Sequence, residues 1–450
     1  SLEGIGALLR EEDGFIKVVR IIPGSAAERQ GELKAEDTIL AAGERGKEPV
    51  DMSDMRIRDA VSYIRGPKGS EIILTVLKPD GAKKVIPITR DVVQIEETYV
   101  KSEVLDDGRG NKIGYIRIPS FYRDFEATGP SSKARNVTDD FRHELFSLTR
   151  QKVGGIILDL RDNGGGSLSD AVSISGMFLP GGPVVQVKNA QGEIKILEDT
   201  DKNVLYEGPV IVLVNKFSAS ASEILAAALQ DYGRALIVGG DHTHGKGTVQ
   251  SIVDMNRNLP LFHRKTYEDM GALKVTIQKF YRINGESTQY KGVEPDIVVP
   301  TLLDYLKSGE KHLDYSLPWD MVEAVSFTPW TKNPLPAEGA RRISGPWVAA
   351  TPDFARIREK TAKARERSEA TNLPVYLSGI EKERRELAAL TENEGQAEAI
   401  LTEMSAGHST GPDGSTPPLR EQLDKDPYVQ LSVFLMDELA LDNKTLGATP

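Results

Sequence analysis

The sequence predicts a multidomain protein of mixed α/β class, and three regions of different pattern along its 450 residues indicate this. Residues 1–95 consist of short alternating apolar and polar segments between turn residues, which is typical of a small β-rich domain. From residue 96 to 302, apolar strands alternate with helical patterns, as in a layered α/β core. The composition shifts again at about residue 303, where a mainly helical C-terminal region is predicted.

The first domain combines three strand-like segments with one helical segment, at residues 15–22, 71–76, 84–89 and 55–64. A glycine-rich turn, made by Gly4, Ile5 and Gly6, comes before a further strand. The backbone N–H groups of such a turn could bind the terminal carboxylate of a peptide that adds to the sheet as a strand. An ordinary β-turn is the alternative for this segment.

The central region contains two apolar runs, at 154–160 and 209–214, that predict buried strands. Each run leads into a Gly- or Ser-rich turn and then into a helical pattern. Further along, Asn284 and Gly285 lie between two strand-like segments, and this pair is typical of a type I′ hairpin turn.

The C-terminal third divides into three predicted parts. Residues 303–404 form the mainly helical region, in which 355–404 are rich in Arg, Lys, Glu and Ala and predict solvated helical faces. Residues 405–418 are Gly, Ser, Thr and Pro almost throughout and predict a mobile linker. Residues 419–450 predict a final helix with an apolar stretch.

Composition excludes several classes of protein. The formal net charge is −11, which argues against a nucleic-acid binder that would need a basic face. Cysteine is absent, so disulfides, thiol nucleophiles and Cys-ligated metals are excluded. The longest run of Val, Ile and Leu, residues 210–214, is far too short to cross a membrane. The chain begins with Ser and has no signal-like stretch, so we expect any targeting segment to lie outside it.

Residues 215–224 are the first candidate for chemistry because they join an apolar strand to a strong helix former. A serine at such a strand-to-helix turn is exposed at the sheet edge, beside the N–H groups of the helix start. Three serines compete for this position, namely Ser218, Ser220 and Ser222. The alternative is a helix N-cap followed by small residues at tightly packed positions.

A second candidate is Lys246, which lies between two glycines after a predicted strand. Burial lowers the pKa of a lysine, so a neutral amine could serve as a general base. Gln250 could then orient that amine by accepting a hydrogen bond. The alternative is a surface turn, and the spacing excludes a phosphate-binding P-loop.

A glycine-rich loop and a pair of histidines are two further candidates for a functional site. Residues 159–166 run from a strand into three glycines, whose free N–H groups suit an oxyanion, although a plain tight turn is the alternative. His242 and His244 flank Lys246 and could indicate a metal site or a Ser–His pair. Without a carboxylate pattern beside them, we predict no metal site.

In combination, residues 217–231 and 245–250 resemble the carboxyl-terminal processing proteases. The sequence is especially similar to the bacterial tail-specific branch of that family. The resemblance covers about residues 1–330 well and the helical tail more weakly, and it rests further on residues 159–166, 291–296, 1–7, 277–282, 317–320 and 426–428.

The resemblance implies a serine endopeptidase with a Ser–Lys dyad, on a crotonase-like core with an N-terminal PDZ domain. Matched residue by residue, it makes Ser220 the nucleophile, Lys246 the general base and Gln250 the residue that positions this base. The N–H groups of Gly166 and Ala221 match the oxyanion hole. No cofactor is implied.

Two features of the match to the family concern the loop before Lys246 and the residue Asp231. The loop 239–245 is one residue longer than in the relatives, and Ser220 is assigned by aligning on the residues that follow it. Asp231 is sometimes named as a third catalytic member in the tail-specific branch. It lies eleven residues beyond Ser220 on the same predicted helix. That separation is roughly 16 Å along the axis, so a structural hydrogen-bonding role is favoured.

The resemblance also implies the biological setting. It predicts that the PDZ domain recognises exposed apolar C-termini of protein substrates, with Gly4, Ile5 and Gly6 as its carboxylate-binding turn. It implies a periplasmic location in the bacterial cell envelope, and helical regions that contain the substrate and dock an adaptor lipoprotein. A catalytically silent PDZ scaffold is the main alternative. An acyl-CoA enzyme of the crotonase type is a weaker alternative, since such an enzyme would not use the serine and lysine motifs.

Overall fold

The protein forms two compact units in a computed structural model. One unit comprises residues 1–96 and 374–418, and the other comprises 97–373 and 419–450. The structure describes residues 3–93, 98–123, 135–255, 270–370, 376–379 and 418–446.

The first unit is built on one antiparallel sheet. Its strands are β1 (Glu3–Gly4), β2 (Ala7–Glu12), β3 (Phe15–Ile21), β4 (Thr38–Glu44), β5 (Val50–Asp51), β6 (Glu71–Leu77), β7 (Lys83–Thr89) and β8 (Asp91–Val92), and its helices are α1 (Ala26–Gln30) and α2 (Ile57–Ile64). The sheet order is β2-β3-β4-β6-β7, with β5 paired to β4, while β1 pairs with β8. Every second residue of β6 is apolar and buried, namely Ile72, Leu74 and Val76, so one face of the sheet packs onto the core. In the strand order, β2 lies at one edge of the sheet.

The main sheet of the second unit has six strands. They are β9 (Lys101–Asp106), β10 (Lys112–Arg117), β11 (Gly155–Asp159), β14 (Val210–Leu213), β15 (Leu236–Gly239) and β18 (Ile297–Val298). Their order is β18-β15-β14-β11-β10-β9, and only the edge strand β9 runs antiparallel to its neighbour. The predicted strands at 154–160 and 209–214 are confirmed as β11 and β14.

Both faces of this sheet are covered, which explains why its central strands are apolar at every position. On β11, Ile156 and Leu158 face one hydrophobic cluster, and Ile157 faces the other. The first cluster includes the helices α3 (Val137–Arg150), α4 (Leu168–Gly176) and α5 (Ala221–Asp231). The second includes the C-terminal helices α6 (Ala337–Ala350), α7 (Pro352–Glu369), α8 (Leu419–Asp424) and α9 (Pro427–Leu446).

A second sheet in this unit has the order β13-β12-β17-β16. Its strands are β12 (Gly182–Asn189), β13 (Ile194–Asp199), β16 (Thr248–Asp254) and β17 (Ala272–Tyr281). The turn after β17 differs from the predicted type I′ hairpin. The N–H of Gly285 donates to the carbonyl of Arg282, and Asn284 does not have the positive φ that a type I′ turn requires. The turn is centred one residue earlier because the Asn284 side chain caps it, accepting from the N–H of Glu286.

The C-terminal region begins without a regular helix. Residues 303–336 contain a single 3-10 turn, Glu310–His312, and the α-helices start at Ala337. A buried ion-pair cluster ties α9 to the core: Arg161 lies 2.6 Å from Asp159 and 2.7 Å from Asp426, which directly precedes α9. The predicted linker falls almost wholly outside the described residues.

Among the helices in the described part of the chain, none combines the length and the apolar character needed to cross a bilayer.

Candidate active site

The turn between β14 and α5 carries the three candidate serines. Ser218 and Ser222 are fully buried, and their hydroxyls donate to the carbonyls of Leu160 and Asn163, both at 2.8 Å. Ser220 is partly exposed and has a φ of +58°, which is an unfavourable conformation for a residue with a side chain. A strained, partly exposed serine at a strand-to-helix turn is the arrangement of a nucleophile elbow. Ser220 therefore differs from Ser218 and Ser222 in being partly exposed, as a nucleophile must be.

The glycine loop after β11 packs directly against this turn. Asn163 accepts the N–H of Ala219 at its carbonyl and the N–H of Gly165 at its side chain, both at 2.9 Å. A Cβ on Gly165 would lie 2.7 Å from the Cβ of Ser220 and 3.1 Å from the nitrogen of Ala221. Sequence reasoning singled out Gly166 and missed Gly165, whose missing side chain permits this approach.

Two backbone donors remain open beside the serine. Within the described residues, the N–H groups of Gly166 and Ala221 donate to no protein acceptor. Gly166 has a φ of +141° and is exposed, and Ala221 is the first residue of α5. The geometry leaves these two N–H groups available to an anionic oxygen near Ser220.

The loop that carries Lys246 is fastened to the same turn. The N–H of His244 donates to the carbonyl of Ser218 at 3.0 Å, and the N–H of Thr243 donates to Val293 at 3.2 Å. The loop that carries Lys246 thus reaches the serine turn, while Asp241 near its beginning is exposed.

The Lys246 amine donates to Oε1 of Gln250 at 3.2 Å. Burial lowers the pKa of Lys246, and the neighbouring charge of Lys274 lowers it further, while Glu310 and Glu223 act in the opposite direction. A lysine whose pKa is lowered in this way supplies a neutral amine closer to physiological pH. Gln250 lies near the start of β16, on the strand that follows the lysine.

Glu223 connects the two halves of the site, and sequence reasoning used it only to align the motif. It is fully buried and accepts four hydrogen bonds, from the N–H groups of Ser220, Gly245 and Lys246 and from the hydroxyl of Thr243. Burial raises its pKa to about 7, and the four hydrogen bonds oppose this rise. The signal available in the sequence was the spacing Ser-x-x-Glu at a helix start, which is that of a capping box.

Among the described residues, no hydrogen bond joins Ser220 to either histidine of this loop. Burial lowers the pKa of His244, and the nearby Lys246 and His242 lower it further. The Nδ1 atom of His242 lies 2.5 Å from the carbonyl of Thr243. In the part of the chain that the structure describes, no group of three or more acidic or histidine side chains could hold a metal ion.

Asp231 lies at the opposite end of α5 from Ser220. The Arg282 guanidinium binds it through two nitrogens, Nη2 at 2.5 Å from Oδ1 and Nε at 3.1 Å from Oδ2. Burial raises the pKa of Asp231, and Arg282 opposes the rise. This ion pair joins α5 to the turn after β17, which agrees with a structural role.

The turn Gly4–Gly6 lies at the start of the edge strand β2. The hydroxyl of Ser25, the N-cap of α1, donates to the carbonyl of Gly6 at 3.1 Å, and a Cβ on Gly6 would lie 2.2 Å from the Cβ of Ser25. The N–H groups of Ile5 and Gly6 find no acceptor among the described residues. The turn therefore presents backbone donors next to an unpaired strand edge.

Three protein-family models match the chain. Peptidase family S41 covers residues 112–299, a PDZ domain covers residues 1–77, and the C-terminal domain of tail specific protease covers residues 303–439. The chain is 32% identical over 327 residues to a carboxyl-terminal-processing protease from Picosynechococcus, with 72% of this chain and 70% of that protein aligned. The chain belongs to the carboxyl-terminal processing proteases of peptidase family S41. The predicted class, a mixed α/β protein with a PDZ domain, an S41 core and a helical C-terminal region, is confirmed.

Within that family, the chain is 40% identical over 328 residues to the tail-specific protease of Haemophilus influenzae, with 73% of this chain aligned. The alignment spans 45% of the length of the Haemophilus protein. The chain is also similar to a solved PDZ domain of a carboxy-terminal protease from Vibrio cholerae in complex with a peptide. That similarity has 36% identity and a TM-score of 0.20, and it covers 21% of this chain and 97% of that one.

Proposed function

We propose that the chain is a serine endopeptidase of the C-terminal processing type, with Ser220 as the nucleophile and Lys246 as the general base. The observation that carries the proposal is the joint arrangement of a strained, partly exposed serine and a partly buried lysine on two loops that share hydrogen bonds. Membership of the S41 family supports the same reaction class.

The reaction begins with proton transfer. The neutral amine of Lys246 removes the proton of the Ser220 hydroxyl as its oxygen attacks a peptide carbonyl. Gln250 holds the amine through the hydrogen bond at Oε1. The protonated lysine then donates to the leaving amine, and water hydrolyses the acyl-enzyme with Lys246 acting again as the base.

The carbonyl oxygen becomes negatively charged in the tetrahedral intermediate. The N–H groups of Gly166 and Ala221 are suited to bind it, because both are otherwise unpaired and belong to segments that meet at Ser220. Removing one donor of this kind typically costs about 3–4 kcal/mol of transition-state stabilisation.

Substrates are proposed to be unfolded or tagged proteins with exposed apolar C-termini. Their terminal carboxylate binds the N–H groups of the turn Gly4–Gly6, and the tail adds to the free edge of β2 as a strand. By analogy with the tail-specific branch, we place the protein in the periplasm and expect its helical region to dock an adaptor lipoprotein.

Cleavage of an unfolded protein ending in Ala-Ala tests the catalytic assignment. The parent chain should cleave it, and Ser220→Ala and Lys246→Ala should each lose at least about a hundredfold in kcat/KM. Cleavage by either variant at the parental rate would refute its assigned role. If none of the three cleaves while the tail still binds, the protein acts as a PDZ scaffold.

A binding measurement tests the PDZ assignment independently. A labelled peptide ending in Ala-Ala should bind the parent, and amidation of its C-terminus should weaken binding because the carboxylate charge is lost. Gly6→Ala should also weaken binding, since its Cβ would collide with Ser25. Gly24→Ala is the matched control, because Gly24 has a similar positive φ with open space around it. Equal binding of acid and amide would contradict the assignment.

A further inference from the structure

The two oxygens of Glu223 are divided between the two catalytic loops. Oε1 accepts the hydroxyl of Thr243 at 2.6 Å and the N–H of Gly245 at 2.7 Å. Oε2 accepts the N–H of Ser220 at 2.7 Å and the N–H of Lys246 at 3.1 Å. A single oxygen therefore lies between the backbone nitrogens of the serine and the lysine.

We propose that Glu223 is the positioning residue of this site, and that its carboxylate fixes the distance between the Ser220 turn and the Lys246 loop so that the dyad assembles only when this carboxyl is ionised. The inference rests on the proposed function of Ser220 and Lys246. It assigns to Glu223 no contact with substrate, because the side chain is fully buried.

The four hydrogen bonds that Glu223 accepts favour the ionised form of its carboxyl. A carboxylate has about four lone-pair directions, and all four are occupied by donors here. A proton on Oε2 would face the N–H of Ser220 or of Lys246, so one of these hydrogen bonds would be lost. A proton on Oε1 can be accepted only if the Thr243 hydroxyl reverses from donor to acceptor. In either form the carboxyl loses its charge and holds the Ser220 turn and the Lys246 loop more weakly.

Among the residues that the structure describes, no cation forms an ion pair with Glu223, which distinguishes it from a permanently paired carboxylate. Its partners are three backbone N–H groups and one hydroxyl, and burial raises its pKa to about 7. The charged and titratable groups around the dyad are Lys246 itself, His244, Lys274 and Glu310. Ionisation of Glu223 thus adds a second loss of a proton to that of Lys246 as the pH rises.

The pH dependence of kcat/KM for the full chain tests the proposal. Where only one of Glu223 and Lys246 is still protonated, the logarithm of the rate should rise with a slope of about one, and at pH values below both pKa values the slope should approach two, since two groups must then lose protons. A slope that stays at one down to pH 5, with the fold intact, would overturn the ionisation requirement.

Substitutions at Thr243 move this second ionisation. Thr243→Val removes one donor to the carboxylate, so the pKa of Glu223 should rise and the steep part of the profile should move up by ~0.5–1 pH unit. Thr243→Ser keeps the hydroxyl and should restore the parental profile. The hydroxyl also accepts the N–H of Val293, so the melting temperature is measured alongside. Coincident profiles for the Val and Ser variants would contradict the proposal.

Glu223→Gln replaces one oxygen by an amide nitrogen that would face two donors. We expect kcat to fall by at least about a hundredfold with little change in KM, because the catalytic groups are displaced while binding is not. Glu223→Asp should recover part of this loss. Glu294→Gln, at an exposed glutamate of the same unit, is the matched control. Parental kcat in Glu223→Gln would refute the positioning role.

Amide hydrogen exchange provides a readout that does not depend on cleavage. In Glu223→Gln the segments 218–224 and 243–248 should exchange faster, while the strands of the main sheet keep their parental protection. If the parent does not cleave, the proposed function fails but this test of Glu223 still stands. Unchanged exchange in both segments would show that Glu223 does not hold them.

Discussion

Helix α5 carries a buried carboxylate near each end, and the comparison separates the chemistry of the site from its support. Glu223, in the first turn, is held by neutral donors only. Asp231, the last residue, is held by the guanidinium of Arg282. The helix dipole favours a negative charge at the N-terminal end, where Glu223 lies, and disfavours one at the C-terminal end, where Asp231 lies. The positive charge of Arg282 offsets this unfavourable interaction at Asp231.

The difference has a chemical meaning. The guanidinium of Arg282 opposes the rise that burial causes in the pKa of Asp231, and the ion pair fastens the helix to its neighbour. A carboxylate held by neutral donors brings no second cation near Lys246, and it remains able to take up a proton. At Glu223 only neutral donors oppose the effect of burial on the pKa, so the two ends of the helix differ in the kind of partner that holds the carboxylate.

The largest effect at the serine end is expected from Gly165→Ala. The new Cβ would lie 2.7 Å from the Cβ of Ser220, so the glycine loop must move away from the serine. We expect kcat to fall by about 10²–10³-fold, as for loss of an oxyanion donor. The measurement is cleavage of the unfolded substrate. Gly192→Ala has a similar positive φ but open surroundings, and should keep parental activity.

At the far end, Asp231→Asn should affect stability more than chemistry. Loss of the carboxylate leaves Arg282 without its partner in a mostly buried position, and breaking such a pair costs about 3 kcal/mol of unfolding free energy. We expect a lower denaturation midpoint with kcat within about threefold of the parent at a temperature where the variant is folded. Abolished cleavage with an unchanged melting temperature would make Asp231 part of the chemistry.

A second substitution sharpens this result. In the double variant with Arg282→Gln the buried uncompensated charge is removed, so part of the lost stability should return. Additive losses from the two single changes would show that the residues do not act as a pair.

The smallest effects are expected from the charges around Lys246. The neighbouring Lys274 lowers the pKa of Lys246 and Glu310 raises it. Lys274→Gln should therefore move the rising part of the rate profile to higher pH, and Glu310→Gln should move it to lower pH. Each shift should be below about 0.5 pH unit, because Lys274 is exposed and Glu310 partly so. Shifts in the same direction would show that the two charges do not act on Lys246 through space.

The sequence predicted the architecture because its signals are local. Apolar runs such as 210–214 reveal strands that are buried on both faces, and the Ser-Ala motif indicates the turn at Ser220. The role of Glu223 could not be read in this way, since three of its four partners lie on a loop about twenty residues later. The turn at Asn284 was mispredicted for a similar reason, because its side chain also reaches Asp231.

The apolar contacts of α9 have a consequence for the order in which the chain can fold. Its residues Val429, Leu435 and Leu439 cover the face of the main sheet that α3, α4 and α5 leave open. During synthesis the serine and lysine segments leave the ribosome about two hundred residues before this helix. Until it arrives, α6 and α7 cover that face only in part, and Arg161 lacks one of its two carboxylates. A nascent chain thus carries Ser220 and Lys246 on a core that is not yet complete.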